Sequence, residues 1–295
     1  MDTQVNTSLT ILPVKPPEQE RIGRRELDER LPIADGSSQL CLMISPIKTG
    51  KSTIVNNLLL REEFYRDFFD DVYMISPTIF IDKTHRFLAE DPLIQCYDEY
   101  SDELVDAIIE HQLSFDKEVR PLAALILDDI LGLITRHSRV AKLGSRFRHY
   151  NFGLLLLSTQ MFKSVPPVIR GNVTMLIIGS PWHNEEELDK VAETYGEMFE
   201  GKENFKALYR SATPERYNFI MCKLDENPAQ MWKGFEEQIY PAAGNEALAP
   251  GEEAPERDEE EITQKPRLTE TDVRNSAAGR PVKSRKKNNN KKKYG

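Results

Sequence analysis

Residues 45–53 read SPIKTGKST, and the fold turns on whether they form a phosphate-cradling loop. Such a loop asks for G-x-x-x-x-G-K-[ST]. Here Ser45 stands where the first glycine belongs, followed by Pro46, Ile47, Lys48 and Thr49, then Gly50, Lys51, Ser52 and Thr53. Losing the first glycine matters less than losing Gly50 or Lys51, because the first position only opens the loop and serine is small. A bare G-K-[ST] arises by chance in ~1 of 7 chains of this length, so the context has to decide. Upstream, QLCLMIS at 39–45 is a short apolar run that feeds straight into the loop. Downstream, KSTIVNNLLLR has helical spacing, with Ile54, Leu58 and Leu59 on one side. Strand, loop and helix in that order are the setting the motif requires.

Further apolar runs extend this unit into a sheet. DVYMIS at 71–76, LAALIL at 122–127, FGLLLLS at 152–158 and VTMLIIG at 173–179 read as buried strands, and RYNFIMCKL at 216–224 as the last strand. Between them, SDELVDAIIEHQL at 101–113 predicts a helix with Ser101 as N-cap and a negative first turn from Asp102 and Glu103. NEEELDKVAETYGEMF at 184–199 predicts another helix with an acidic start. Continuous apolar strands alternating with helices indicate an α/β fold: a central, mostly parallel sheet covered by helices on both faces. PPVIRGN at 166–172 reads as a loop, because Pro166 and Pro167 disfavour a helix interior.

The 295 residues, 39% hydrophobic, can bury one sizeable core. Three organisational parts are expected: a polar, proline-bearing arm over 1–37, a P-loop ATPase domain over 38–242, and a disordered tail over 243–295. The tail runs from acidic EEAPERDEEE to basic RPVKSRKKNNNKKKYG. Cys41, Cys96 and Cys222 form no C-x-x-C pair, which speaks against a disulfide framework or a zinc site and fits a reducing compartment. No apolar run is long enough to span a bilayer, and the first residues lack the order of a signal peptide. The expectation is a soluble, intracellular protein.

A nucleoside triphosphatase needs a phosphate cradle, a magnesium site and a group that orients the attacking water. The loop at 45–53 offers the cradle, with Lys51 on the terminal phosphates and the Ser52 hydroxyl on magnesium. ALILDDI at 124–130 delivers Asp128 and Asp129 at the C-terminal end of a buried strand, the edge where ligands bind in open α/β sheets. Asp128 suits the magnesium shell, and Asp129 suits the attacking water. Gln160 ends the next strand, LLLLSTQ, where a glutamine can sense the γ-phosphate or orient water. ATP and Mg2+ are the cofactors implied. His85, His111, His137, His149 and His183 have no metal-ligand spacing.

The order of SPIKTGKST, LILDDI, RFRHYNFGLLLLSTQ and VPPVIRGNVTMLIIG resembles the FtsK/HerA-like genome-packaging ATPases of poxviruses, other large DNA viruses and virophages. That family carries a Walker A loop, a Walker B strand ending in two acids, an Arg-His pair before the next strand, and a terminal glutamine followed by an IR-x-N segment. The resemblance covers about residues 38–225. It implies an additional-strand sheet and an oligomeric ring that hydrolyses ATP to move double-stranded DNA into a preformed capsid, with capsid or portal-vertex proteins as partners. It also implies action in the host cell, in a cytoplasmic virus factory or the nucleus, or on the virion. Matched to the family pattern, Lys51 and Ser52 are the loop's lysine and metal ligand, Asp128 the Walker B aspartate, Asp129 the base and Gln160 the sensor. For the arginine finger Arg148 comes first, then Arg146, then Arg170. Ser45, Pro46 and Lys48 depart from the small residues usual in the loop.

Between Asp129 and Glu185 lie 55 positions without an acid, holding Arg136, Arg139, Lys142, Arg146, Arg148, Lys163 and Arg170. Taken as a helix, LGLITRHSRVAKLGSRF puts Leu133, Val140, Leu143 and Phe147 on one side and Arg139, Lys142 and Arg146 on a neighbouring flank. Ordinary solvated faces mix signs, so this flank points to a polyanion. Candidate DNA contacts are Arg136, Arg139 and Lys142, joined in the tail by Lys283, Arg285, Lys286, Lys287, Lys291, Lys292 and Lys293. Two other readings compete with a translocase: a small-molecule P-loop kinase and a nucleotide-dependent scaffold that does not hydrolyse. Neither calls for both the acid-free segment and the retained site residues. Deleting 280–295 is expected to lower DNA affinity and flatten its salt dependence while leaving basal hydrolysis intact. Equal salt slopes for full and truncated chains would count against the tail as an anchor.

Overall fold

The computed structural model describes residues 26–33, 37–130, 132–180 and 185–241. Six strands run parallel: β1 (Gln39–Ile44), β2 (Asp71–Ile75), β3 (Ile94–Tyr97), β4 (Ala123–Asp128), β5 (Phe152–Thr159) and β6 (Met175–Gly179). Three more, β7 (Phe219–Lys223), β8 (Gln230–Lys233) and β9 (Glu237–Tyr240), extend one edge antiparallel. The sheet order is β3-β2-β4-β5-β1-β6-β7-β8-β9. The strand carrying the loop and the strand carrying the paired acids are therefore separated by β5. In register, Ile44 of β1 lies beside Thr159, and Asp128 of β4 lies beside Ser158.

Every side chain of β1, β4, β5 and β6 is buried. Alternate residues serve two cores, as a pleat with period two demands. Leu40, Leu42, Leu125, Leu127, Leu155, Leu157 and Ile178 face α3 (Asp102–Leu113), α6 (Glu185–Tyr195) and α7 (Lys202–Ala212), which contribute Val105, Ile108, Leu188, Val191 and Phe205. Cys41, Met43, Ile126, Leu154, Leu156 and Ile177 face α1 (Lys51–Leu60) and α2 (Arg86–Glu90), with Val55, Leu58 and Leu88. Helices thus cover both faces, which explains why these strands read as unbroken apolar runs. The Ser101 hydroxyl accepts a bond from the Leu104 N–H and caps α3, a contact of about 1 kcal/mol.

Several segments depart from their sequence reading. Among the described residues of 131–147 only α4 (Arg139–Leu143) is α-helical, and Phe147 begins a 3-10 turn. Before it, the Ser138 hydroxyl accepts the Thr135 N–H and the Ser138 N–H donates to the Thr135 carbonyl, a local turn that competes with helix. Val140, Leu143 and Phe147 are buried as expected, but Leu133 is exposed. The stretch read as a loop at 166–172 contains a helical turn, α5 (Pro167–Arg170). Pro167 occupies its first position, where a missing N–H costs nothing. β7 is not the last strand: β8 and β9 follow it, and with β3 these short strands have no continuous apolar run to announce them. In the segment expected as an arm, Leu31 and Ile33 are buried in the core beside α1. The basic tail at 280–295 lies outside the described residues. Among the described residues no helix is long and apolar enough to cross a membrane.

Candidate functional site

The loop leaves β1 at its C-terminal end, where the Ser45 N–H still donates to the Thr159 carbonyl at 3.1 Å. Gly50 then turns the chain into α1 with φ of 100°, which only glycine adopts without strain, and Lys48 takes φ of 61°. Lys51 is buried, and its ammonium folds back onto the loop, donating to the carbonyls of Ser45 at 3.0 Å and Pro46 at 3.5 Å. Burial holds this ammonium below the usual lysine range, against the pull of Asp129 and Asp128. A cation kept close to a turn of backbone N–H groups, with a ten-residue helix starting behind it, suits a polyphosphate.

Ser45 is accommodated by its neighbour across the sheet. Its side chain is buried, its hydroxyl meets that of Thr49, and Thr49 in turn donates to the Pro46 carbonyl at 2.6 Å. The space it fills is the one a side chain at Gly179 would occupy: a Cβ there would lie 2.1 Å from Ser45 Oγ and 2.9 Å from Ser45 Cβ. The glycine missing from the loop is thus matched by one on β6, whose carbonyl accepts from the Tyr209 hydroxyl at 3.0 Å.

Asp128 ends β4, fully buried, while Asp129 is exposed one residue on. Asp129 has φ of 53°, a left-handed turn that aspartate tolerates, and its N–H extends the ladder to the Ser158 carbonyl at 3.1 Å. Burial raises the Asp128 carboxyl above the ordinary range. The Ser158 hydroxyl, His85 and Lys51 oppose that rise, and the charge of Asp129 adds to it. Asp128 Oδ2 accepts from the Ser76 hydroxyl at 3.4 Å, whereas Oδ1 has no partner among the described residues. His85, arriving from the segment after β2, is buried with Nε2 3.6 Å from Oδ2, and neither ring nitrogen has a hydrogen-bond partner among the described residues. Nothing in the spacing of the histidines pointed to it, because only the path of the chain after β2 delivers it here.

An orphaned buried carboxylate oxygen beside a buried lysine fits a hydrated divalent cation. No group of three His, Cys, Asp or Glu side chains forms a protein-only metal cage among the described residues. Magnesium typically takes only one or two protein oxygens plus phosphate and water, so Asp128 and Ser52 form a chemically suitable pair. Gln160 follows β5 directly, half-buried at the same edge of the sheet.

The arginines lie elsewhere. Arg146 and Arg148 are exposed around the 3-10 turn Phe147–Tyr150 that leads into the start of β5, about 23 Å of strand from its loop end. Arg170 closes α5 with its guanidinium 5.1 Å from the centre of the Phe162 ring. Within one chain, none of the three is brought to the loop by a hydrogen bond. An arginine that does reach it is Arg216, whose Nη2 donates to the Lys48 carbonyl at 2.9 Å. Two members of the acid-free segment are also neutralised in space: Arg139 pairs with Asp106 at 2.7 Å and Lys163 with Glu186 at 2.7 Å. Arg136, Lys142, Arg146 and Arg148 remain exposed.

A parallel sheet with one strand inserted between the loop strand and the acid strand, and helices on both faces, is the α/β fold of P-loop nucleoside triphosphatases. Among solved structures it is similar to B204, the DNA-packaging ATPase from Sulfolobus turreted icosahedral virus, with a TM-score of 0.50 and 14% identity over 66% of this chain and 97% of that one. The genome-packaging NTPase B204 of Sulfolobus turreted icosahedral virus 2, in complex with ATP-gammaS, gives 0.49 and 16% over 66% and 96%. EssC (ATPases 2 and 3) from Geobacillus thermodenitrificans gives 0.41 and 13% over 52% and 34%. At such identities the likeness is one of fold. No protein-family model matches the chain, and no curated protein is significantly similar in sequence.

The contact between Ser45 and Gly179 generates a test. Gly179→Ala is expected to destabilise the chain by about 1–3 kcal/mol in urea unfolding, the usual range for overpacking, and adding Ser45→Gly should recover most of the loss. Additive losses in the double variant would refute the pairing.

Proposed function

We propose that this chain is an ATP-hydrolysing DNA translocase that packages a double-stranded DNA genome into a viral capsid. The observation that carries the reading is the convergence of three adjacent strands at one edge: β1 brings Lys51 and Ser52, β5 brings Gln160, and β4 brings Asp128 and Asp129. Residues 45–53 would cradle the phosphates, with Lys51 leaving its two loop carbonyls for the β- and γ-phosphates. Ser52 and Asp128 would hold Mg2+, which supplies neutralisation of charge on the phosphates. Asp129, exposed beside this edge, would accept a proton from the attacking water, and Gln160 would orient that water or report the γ-phosphate.

Genome packaging, rather than another use of ATP, is supported by the order of motifs along the chain, and the shared fold with a DNA-packaging ATPase is compatible with it. The exposed Arg136 and Lys142, together with the basic tail, are proposed to face DNA. Arg139 is the weaker candidate, because Asp106 already claims its guanidinium. An arginine finger from Arg148, Arg146 or Arg170 would act on a neighbouring copy in a homo-oligomeric ring, since none of them reaches its own loop. Capsid or portal-vertex proteins would be the docking partners, inside the infected cell or on the virion.

Steady-state ATP hydrolysis with and without double-stranded DNA tests this directly. Stimulation by DNA that vanishes in Lys51→Ala is the expected result; DNA-independent hydrolysis would refute the coupling, and normal turnover in Lys51→Ala would remove the loop assignment. Asp129→Asn should retain nucleotide binding while turnover falls by at least ~100-fold, as for loss of a water-activating group.

A further inference from the structure

On the flank of the loop opposite the acids, two residues make contacts that hydrolysis does not require. β4 and its acids lie beyond β5 on one side of β1; β6 and then β7 lie on the other. The turn entering β7 is pinned to the end of β6 by backbone bonds: the Ser180 N–H donates to the Asn218 carbonyl at 2.9 Å and the Tyr217 N–H to the Ser180 carbonyl at 3.3 Å. This turn sets the Tyr217 ring over the loop, with Cδ1 3.5 Å from where a Cβ would stand on Gly50. Arg216 lies against the same ring, its guanidinium carbon 5.0 Å from the ring centre, while Nη2 holds the Lys48 carbonyl. Tyr217 is nonetheless 60% exposed, so much of the ring stays open to solvent.

Its backbone is also strained. Tyr217 has φ of 71°, where a bulky side chain is an outlier, and the Lys48 carbonyl that Arg216 holds belongs to another left-handed residue. With 60% of its surface exposed, Tyr217 gains only part of the burial that could offset such a conformation. Strain of this kind persists where the surroundings over-determine it, and it gathers at ligand clamps.

We infer that Tyr217 and Arg216 form the nucleoside subsite: Tyr217 offers its open π-face to the nucleobase, and Arg216 braces both that ring and the loop carbonyl at Lys48. The direction follows from the sheet. With the hydrolysed phosphate turned toward Asp128 and Asp129, the other end of a nucleotide leaves the loop toward β6 and β7, where Tyr217 stands. The inference rests on the proposed phosphate loop, and it assigns the base to a single protomer rather than to a neighbouring copy. Stacking on an aromatic side chain is tolerant of base identity, so discrimination among purine triphosphates is expected to be weak.

The test is calorimetric binding of ATP and of inorganic tripolyphosphate to the full chain in magnesium. Tyr217→Ala should weaken ATP at least ~5-fold, as for loss of one base stack, and leave tripolyphosphate within about twofold. Tyr217→Phe, which keeps the ring, should bind both as the parent does. Because alanine is itself strained at this φ, Tyr217→Gly serves as a second variant that removes the ring and relaxes the backbone. Unchanged ATP affinity in both ring-less variants would overturn the inference, as would equal losses for ATP and tripolyphosphate, which would make Tyr217 a support for the loop. Lys51→Ala separates the two levels: if it binds both ligands like the parent, the loop reading falls and the subsite with it.

Discussion

The site depends on one strand. β5 is hydrogen-bonded on both sides and buried along its whole length, so it fixes β1 and β4 in register against the same ladder. Thr159 holds the end of β1 where the loop begins, and Ser158 holds Asp128 and the Asp129 N–H. Two groups far apart in sequence thereby open at the same edge with little freedom to slide. In a parallel sheet a slip of one residue would turn Asp128 from one face to the other, and the two apolar cores flanking β5 oppose that slip. Each fully buried leucine of β5 contributes roughly 1.5–3 kcal/mol to this clamp.

The loop itself is held by interactions that offset its irregular sequence. Ser45 is possible because Gly179 leaves room for it, and its hydroxyl joins Thr49 in closing the turn. Lys51, with its charge disfavoured by burial, borrows two loop carbonyls. An ammonium so placed would gain more from an anionic acceptor than from carbonyls, because opposite charge adds Coulombic attraction to the hydrogen bond. Around Asp128 the polar atoms are short of partners: one carboxylate oxygen and both nitrogens of His85 lie buried without a hydrogen bond among the described residues. Folding leaves such groups unpaired only at a cost, so their gathering at one strand end marks where binding energy can be recovered.

Charge along the chain proved a poor guide to charge in space. The segment between Asp129 and Glu185 has no acid of its own, yet α3 supplies Asp106 to Arg139 and α6 supplies Glu186 to Lys163. Sequence reports only neighbours along the backbone, whereas an ion pair answers to distance through solvent. The exposed remainder is Arg136, Lys142, Arg146 and Arg148.

Much of this architecture was legible without coordinates. Runs such as LILD and LLLLST are too apolar to sit anywhere but inside a doubly covered sheet, and the order of strand, loop and helix around Gly50 and Lys51 follows from spacing alone. The paired acids and Gln160 were readable for the same reason, since a polar residue ending a buried strand must emerge at the sheet edge. The strands β3, β8 and β9 were not, because they are short and only partly buried. Nor were the turn at 135–138, where hydroxyls compete with helix, and the helical turn begun by Pro167. The tertiary structure alone decided that Gly179 makes room for Ser45, that His85 meets Asp128, and that Arg216 and Tyr217 reach the loop from the start of β7. Each of these joins residues from separate strands or loops, and no local periodicity encodes a contact made only when the sheet closes.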